Sequence, residues 1–213
     1  LAPSEMCIRD RCSNLQSITI PDSVKIINEY AFSGCKSLKS IIIPNSVESI
    51  GPQSFAGCSG LTTLAIPNSV TNMGDAIFRN CINLTNITIP DSVKSIGYSA
   101  FSGCSSLSSI TIPNGITIIN ENEFQGCGSL TSIVIPNGVT SIQRSAFEGC
   151  TNLTSITIPD SVTSIATHQK MPNGIGINPF YDCTNATFYV KSQTLKQILI
   201  NSGVSASKII VSA

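Results

Sequence analysis

Tryptophan is absent from this 213-residue chain, histidine occurs once, and charged residues make up only 11% of it. The 12 basic side chains are matched by 12 acidic ones, so there is no surplus of positive charge to follow a phosphate backbone. Aromatic residues are also few, which leaves no stacking platform for bases. Nucleic acid is therefore not expected as a partner. No run of 18 or more apolar residues occurs, so no membrane-spanning helix is expected. The first residues lack the basic and apolar regions of a secretory signal. The cysteines never fall at C-x-x-C spacing, and no nucleophile stands in register with a base. Catalysis, metal binding and a cofactor are accordingly not expected.

The residues that are abundant are periodic. Cys12, Cys35, Cys58, Cys81, Cys104, Cys127 and Cys150 follow one another at steps of 23. Pro21, Pro44, Pro67, Pro90, Pro113, Pro136 and Pro159 keep the same step, as do Leu15 to Leu153 and Phe32 to Phe147. A repeat of this length means a solenoid or an array, in which each unit stacks on its neighbour to bury an apolar face it cannot bury alone. The unit reads C-x-x-L-x-x-I-x-I-P-[DN]-[SG]-V-x-x-I-x-x-x-A-F-x-G. In the copy from Cys81 to Gly103, alternation over Leu84 to Ile89 predicts a half-buried strand with Ile87 and Ile89 inside and Asn86 and Thr88 outside. Pro90 ends that strand and opens a tight turn with Asp91. Val93 to Ile96 predicts a second, shorter strand, and Ala100-Phe101 a compact turn or a single turn of helix.

These motifs resemble the BspA-like (treponemal-type) class of leucine-rich repeats, over Cys12 to about Cys183. The L-x-x-I-x-I-P core, the V-x-x-I pair and the A-F-x-x-C ending all recur. Copies at Ser54-Phe55, Ile77-Phe78 and Glu123-Phe124 lack the alanine, and Met73 replaces an isoleucine. The resemblance implies a mainly β repeat solenoid, a right-handed coil of 23-residue units with parallel strands on two faces. It also implies a microbial cell-surface adhesin that contacts host matrix proteins or other cells. Residues 6–11, Met6-Cys7-Ile8-Arg9-Asp10-Arg11, resemble a translated sequencing adapter. Residues 1–11 are thus expected to be a non-native or disordered leader.

Residues 12–183 form the array, about seven units. Cys150 and Cys183 lie 33 apart, so the last unit carries an insertion near 166–178. It holds His168, Lys170 and Met171, a candidate binding loop, because loops on rigid scaffolds often carry binding. After Cys183 the repeat stops. Residues 184–213 are expected to be a strand-helix-strand capping unit, with Ala186 to Val190 as strand, Ser192 as N-cap of a helix over Gln193 to Asn201, and Lys208 to Val211 as the last strand. No matching cap precedes Cys12, so the chain is expected to begin inside a longer array. The cysteines Cys12, Cys35, Cys58, Cys81, Cys104, Cys127, Cys150 and Cys183 are expected to form a structural ladder of buried, reduced thiols.

The outward strand positions make two columns: Ser17, Ser40, Thr63, Asn86, Ser109, Ser132 and Ser155, and beside them Thr19, Ile42, Ala65, Thr88, Thr111, Val134 and Thr157. This nearly uncharged, hydroxyl-rich face is the candidate binding face. It suits a broad, flat protein or glycan contact more than a small-molecule pocket. Two alternatives stand beside a protein-binding module: a structural spacer that presents another domain, and ice or crystal-surface binding through the Ser/Thr ladder, which Ile42, Ala65 and Val134 interrupt.

Overall fold

A computed structural model describes residues 12–167, 169–170 and 176–212. The chain is a parallel β-solenoid in which each coil has three sides. The first side carries the longer strands, β3 (Thr63–Ala65), β5 (Asn86–Thr88), β8 (Ser132–Val134) and β10 (Ser155–Thr157). The second carries two-residue strands: β1 (Ile26–Ile27), β2 (Ser49–Ile50), β4 (Asn72–Met73), β6 (Ser95–Ile96), β7 (Ile118–Ile119), β9 (Ser141–Ile142) and β11 (Ser164–Ile165). All these strands pair in parallel, residue to residue one repeat on: Ile27 opposite Ile50, Ile50 opposite Met73, Met73 opposite Ile96. The register therefore equals the sequence period.

The strands are shorter than the sequence predicts. The first is Asn86–Thr88 rather than Leu84 to Ile89, and the second is Ser95–Ile96 rather than Val93 to Ile96. Leu84 closes a turn, its N–H donating to Cys81 O at 3.0 Å, and Val93 closes another on Pro90 O at 3.1 Å. Both side chains are fully buried all the same. The turns spend on local bonds the backbone groups that a longer strand would spend on its neighbour.

The third side is not helical. Ser99 and Gly103 sit at φ 56° and 75°, in the left-handed region that a right-handed helix excludes. The N–H groups of Ser99, Phe101 and Gly103 instead donate to Glu121, Glu123 and Gln125 of the next coil, at 2.9, 2.9 and 2.7 Å. The glycine position is filled by Asn80 and Asp182 in two coils, again with positive φ, a conformation these two residue types tolerate better than most.

Inside, identical side chains stack in files. Phe32, Phe55, Phe78, Phe101, Phe124, Phe147 and Phe180 form one continuous ring stack with centroids 5.2–5.7 Å apart. Leucine, isoleucine and valine files run beside it, and almost every member is buried. Each such side chain contributes about 1.5–3 kcal/mol, so stability accumulates coil by coil around a core that has no single centre.

The cysteine file has a role beyond apolar filling. From Cys58 onward each thiol donates to the carbonyl oxygen of the phenylalanine one coil back: Cys58 to Phe32 at 3.0 Å, Cys81 to Phe55 and Cys104 to Phe78 at 3.1 Å, Cys127 to Phe101 at 3.3 Å, Cys150 to Phe124 at 3.2 Å, and Cys183 to Phe147 at 3.0 Å. Burial pushes Cys58, Cys81, Cys104 and Cys127 up, Cys127 to about 12, so they remain protonated donors. Cys35 through Cys183 are free and buried. Cys12 is disulfide-bonded and only half-buried, so the expectation of a reduced thiol fails there.

After Ile165 the period breaks. Gln169–Lys170 pairs antiparallel with Gly176–Ile177. The coil resumes with β14 (Thr187–Val190), whose Thr187 lies opposite Ser155, and β15 (Ile209–Val211) continues the sheet in parallel. Between them runs the helix Gln193–Asn201. Ser192 caps it, its hydroxyl accepting from Leu195 N at 3.2 Å, and Leu195 and Leu199 are buried beneath it. Residues 1–11, with Cys7 and the expected leader, lie outside the described residues.

Candidate binding face

The inward half of each long strand anchors the outward half. Leu64, Ile87, Ile133 and Ile156 are buried, and their neighbours on either side point away from the core. Ser17, Thr19, Ser40, Thr63, Asn86, Thr88, Ser109, Thr111, Ser132 and Thr157 are all exposed, and Ser155 is half-buried. Pairing sets them in rows across the coils. Thr63 stands opposite Asn86 and Ala65 opposite Thr88; Ser132 stands opposite Ser155 and Val134 opposite Thr157.

Between those two groups the ordering is interrupted. Ser109, Ile110 and Thr111 belong to no strand, and the sheet of β3 and β5 ends before the sheet of β8, β10, β14 and β15 begins. Ile110 is only half-buried, unlike its counterparts Ile87 and Ile133. The candidate columns are therefore two patches.

The structure adds residues that period counting misses. Tyr189 lies opposite Thr157, and Ile210 opposite Tyr189. Val134, Thr157, Tyr189 and Ile210 thus form one outward row, its apolar members exposed by 66%, 37% and 46% in order. Beside it a groove of about 400 Å³ is lined by Asn137, Asp160 and Lys191 among others. Tyr189 falls 32 positions after Thr157 rather than 23, which hides it from the period. The signal was the F-Y-V alternation of the strand itself. A second groove, about 690 Å³, flanks the exposed Ile42 near the other end of the face.

The turn aspartates hold neighbouring coils. Asp91 Oδ1 accepts from Asn114 N–H at 3.0 Å, and Asp75 Oδ1 from Tyr98 N–H at 2.9 Å. On the second side Lys25 and Glu48 form an exposed ion pair at 3.3 Å, which at such exposure contributes little. Of the candidate loop, Lys170 lies on the short antiparallel pair; His168 and Met171 lie outside the described residues. Among the described residues no group of three His, Cys, Asp or Glu side chains is placed to hold a metal ion. No described helix is long and apolar enough to cross a membrane.

Stacked 23-residue coils, a leucine and isoleucine file and a phenylalanine file define a leucine-rich-repeat solenoid. The sequence matches the BspA type leucine rich repeat region, six copies of it, over residues 7–129 and 74–201, and the chain belongs to that family. No curated protein matches it. Among solved structures it is similar to a leucine-rich repeat protein of Treponema pallidum, at 26% identity and TM-score 0.71, over 93% of this chain and 86% of that one. It is also similar to a leucine-rich cell surface protein of Faecalibacterium prausnitzii, at 28% and 0.60, over 91% of this chain and 64% of that one. A leucine-rich repeat protein of Bacteroides ovatus matches at 33% and 0.67, over 85% and 51%. The chain thus spans about half to two thirds of the length of the last two proteins.

Proposed function

We propose that this chain is a non-catalytic protein-interaction module of a microbial cell surface, and that it docks a partner protein on its long-strand face. The observation that carries this reading is the construction of that face. Exposed hydroxyls and a few exposed apolar side chains are held at fixed spacing on a stacked backbone, with no charged residue in either column. Ordered, adaptable polar groups around a few apolar anchors suit a protein contact. The row Val134, Thr157, Tyr189 and Ile210 supplies the anchors. Description of the Faecalibacterium relative as a cell surface protein supports the location. The bonds of Asp75 and Asp91 to neighbouring coils support a structural role for these acids rather than acid–base chemistry. Residues 184–213 close the C-terminal end of the stack in this reading, and the segment 166–178 is a secondary contact.

The test uses the full chain against immobilised extracellular-matrix proteins and intact host cells. Thr157→Arg with Val134→Arg should weaken binding at least roughly tenfold, whereas Lys94→Ser on the second side should leave it unchanged. Binding that ignores the paired arginines overturns the long-strand face as the contact, and no binding at all supports the alternative of a spacer that holds another domain off the surface.

A further inference from the structure

Of the joints between coils, the one between residues 81–103 and 104–126 is unlike the rest. On the second side, β6 ends one sheet and β7 begins another. On the first side, Ser109–Thr111 pairs with neither neighbour. Among the described residues it is the one joint where both strand ladders are open, crossed outside the ladders by the turn bond from Asn114 N–H to Asp91 Oδ1 at 3.0 Å and by Ser106 and Ser108 N–H to Ile82 and Thr85 O at 3.2 and 3.4 Å. The third side stays closed there: Ser99, Phe101 and Gly103 donate across it, and the rings of Phe101 and Phe124 stack at 5.5 Å, within 2° of parallel.

The sequence explains the opening. Gly51, Gly74 and Gly97 occupy one column, and the N–H of each donates to the coil behind it, to Ile27, Ile50 and Met73 O at 2.7, 2.9 and 3.0 Å. The approach is so close that an added Cβ would lie 2.4 Å from Pro52 N at Gly74 and 2.5 Å from Asp75 N at Gly97. The next residue of the column is Asn120. Its N–H does not follow: it donates to Glu123 Oε2 at 2.7 Å, and its side-chain amide donates to Ile96 O at 2.6 Å instead, whereas Gln143 and Ala166 further along the column reach Ile119 and Ile142 O at 2.9 Å despite their Cβ. Glu123 itself stands where Ala100 and Ala146 stand, fully buried, and its other oxygen has no partner. One further link is missing. Ser69 and Ser92 hydroxyls bond Val47 and Val70 O one coil back, but the matching position here is Gly115, as it is Gly138 at the next joint. The two departures peculiar to this joint are thus the Asn120 N–H, turned out of the ladder, and the buried Glu123 that takes it.

We propose that this joint is a hinge built into the array: the coils part here first, on the two strand sides, and pivot on the phenylalanine side. The array then flexes as two stiff blocks, one ending at Gly103 and one beginning at Cys104. The proposal is independent of whether the long-strand face binds a partner.

Amide exchange on the full chain, resolved residue by residue at low urea, decides it. Lys94 and Thr140 donate to the preceding coil at 2.8 Å each, whereas Thr117, their counterpart at the hinge, does not. The Thr117 amide should exchange at least roughly tenfold faster than both, while Phe101 and Gly103 stay as protected as Phe78 and Gly126. The variant Gly115→Ser with Asn120→Gly and Glu123→Ala restores the repeat and should bring Thr117 to the protection of its counterparts. Equal protection of Thr117 in the unsubstituted chain overturns the proposal, as does opening of Phe101 together with the strand sides.

Discussion

The thiol of Cys104 donates to the carbonyl oxygen of Phe78 at 3.1 Å, one coil back, while Cys81 N–H meets the same oxygen at 3.0 Å. The residue is therefore chosen for three properties at once: small volume, apolar burial and a weak donor. Cys104→Ala removes the donor and leaves a gap in a close-packed file, and should lower stability by about 1–3 kcal/mol. Urea unfolding followed by circular dichroism checks this.

Those same thiols should be silent toward thiol reagents in the folded chain. Burial raises Cys104 and Cys127, so the attacking thiolate is scarce and inaccessible. Labelling of Cys58 to Cys150 by a thiol reagent at pH 8 should proceed only as fast as the coils open. In the unfolded chain the thiols ionise near 9, and in the folded one Cys127 ionises near 12. The stability they support is complete below pH 9 and declines from there toward 12.

Glu123 shapes stability at lower pH. Desolvation raises its carboxyl from 4.5 to about 8, against a single backbone bond from Asn120. The protonated form is favoured when folded, so stability is complete below about pH 4.5 and falls as pH rises to about 8. Glu123→Gln should flatten that decline and gain on the order of a few kcal/mol at pH 8. Thermal unfolding of both proteins at pH 5 and pH 8 measures it; a parallel pH response in the two would contradict the assignment.

Glycines in the repeat are not equivalent. Gly97→Ala places a Cβ 2.5 Å from the Asp75 nitrogen, a backbone atom that cannot swing aside, and should cost about 2 kcal/mol or more. Gly128→Ala meets only Thr151 Oγ1, at 3.7 Å, and should stay within about 0.5 kcal/mol of the parent. A pair of melting curves distinguishes them.

Much of this architecture is legible in the sequence because a period of 23 fixes both the coil and the register. Leu64, Ile87 and Ile133 could be placed in one file by arithmetic, and the helix after Ser192 by its cap and apolar spacing. What arithmetic could not supply were features set by backbone conformation. Positive φ at Ser99 and Gly103 turns a would-be helical turn into a third ladder. The short strands follow from turns at Leu84 and Val93 that use local bonds. The hinge comes from Glu123, a buried carboxyl where Ala100 and Ala146 stand in neighbouring coils, which takes the Asn120 N–H out of the ladder. Ile110, an apparent equal of Ile133, is half-buried where Ser109–Thr111 forms no strand. Ile133→Asp should accordingly disrupt its coil more than Ile110→Asp does. The binding face was readable as exposed columns, but Tyr189 and Ile210 enter it only through the pairing of β14 and β15.

The account rests on coils stacked in 23-residue register. Residue-resolved amide exchange in native buffer tests this most directly. The N–H groups of Gln53, Phe55 and Gly57, of Ala76, Phe78 and Asn80, and of Ser99, Phe101 and Gly103 each reach the next coil, and should form protected triplets that recur every 23 positions. Protection scattered without that recurrence would contradict the stacking and remove the basis for the exposed face.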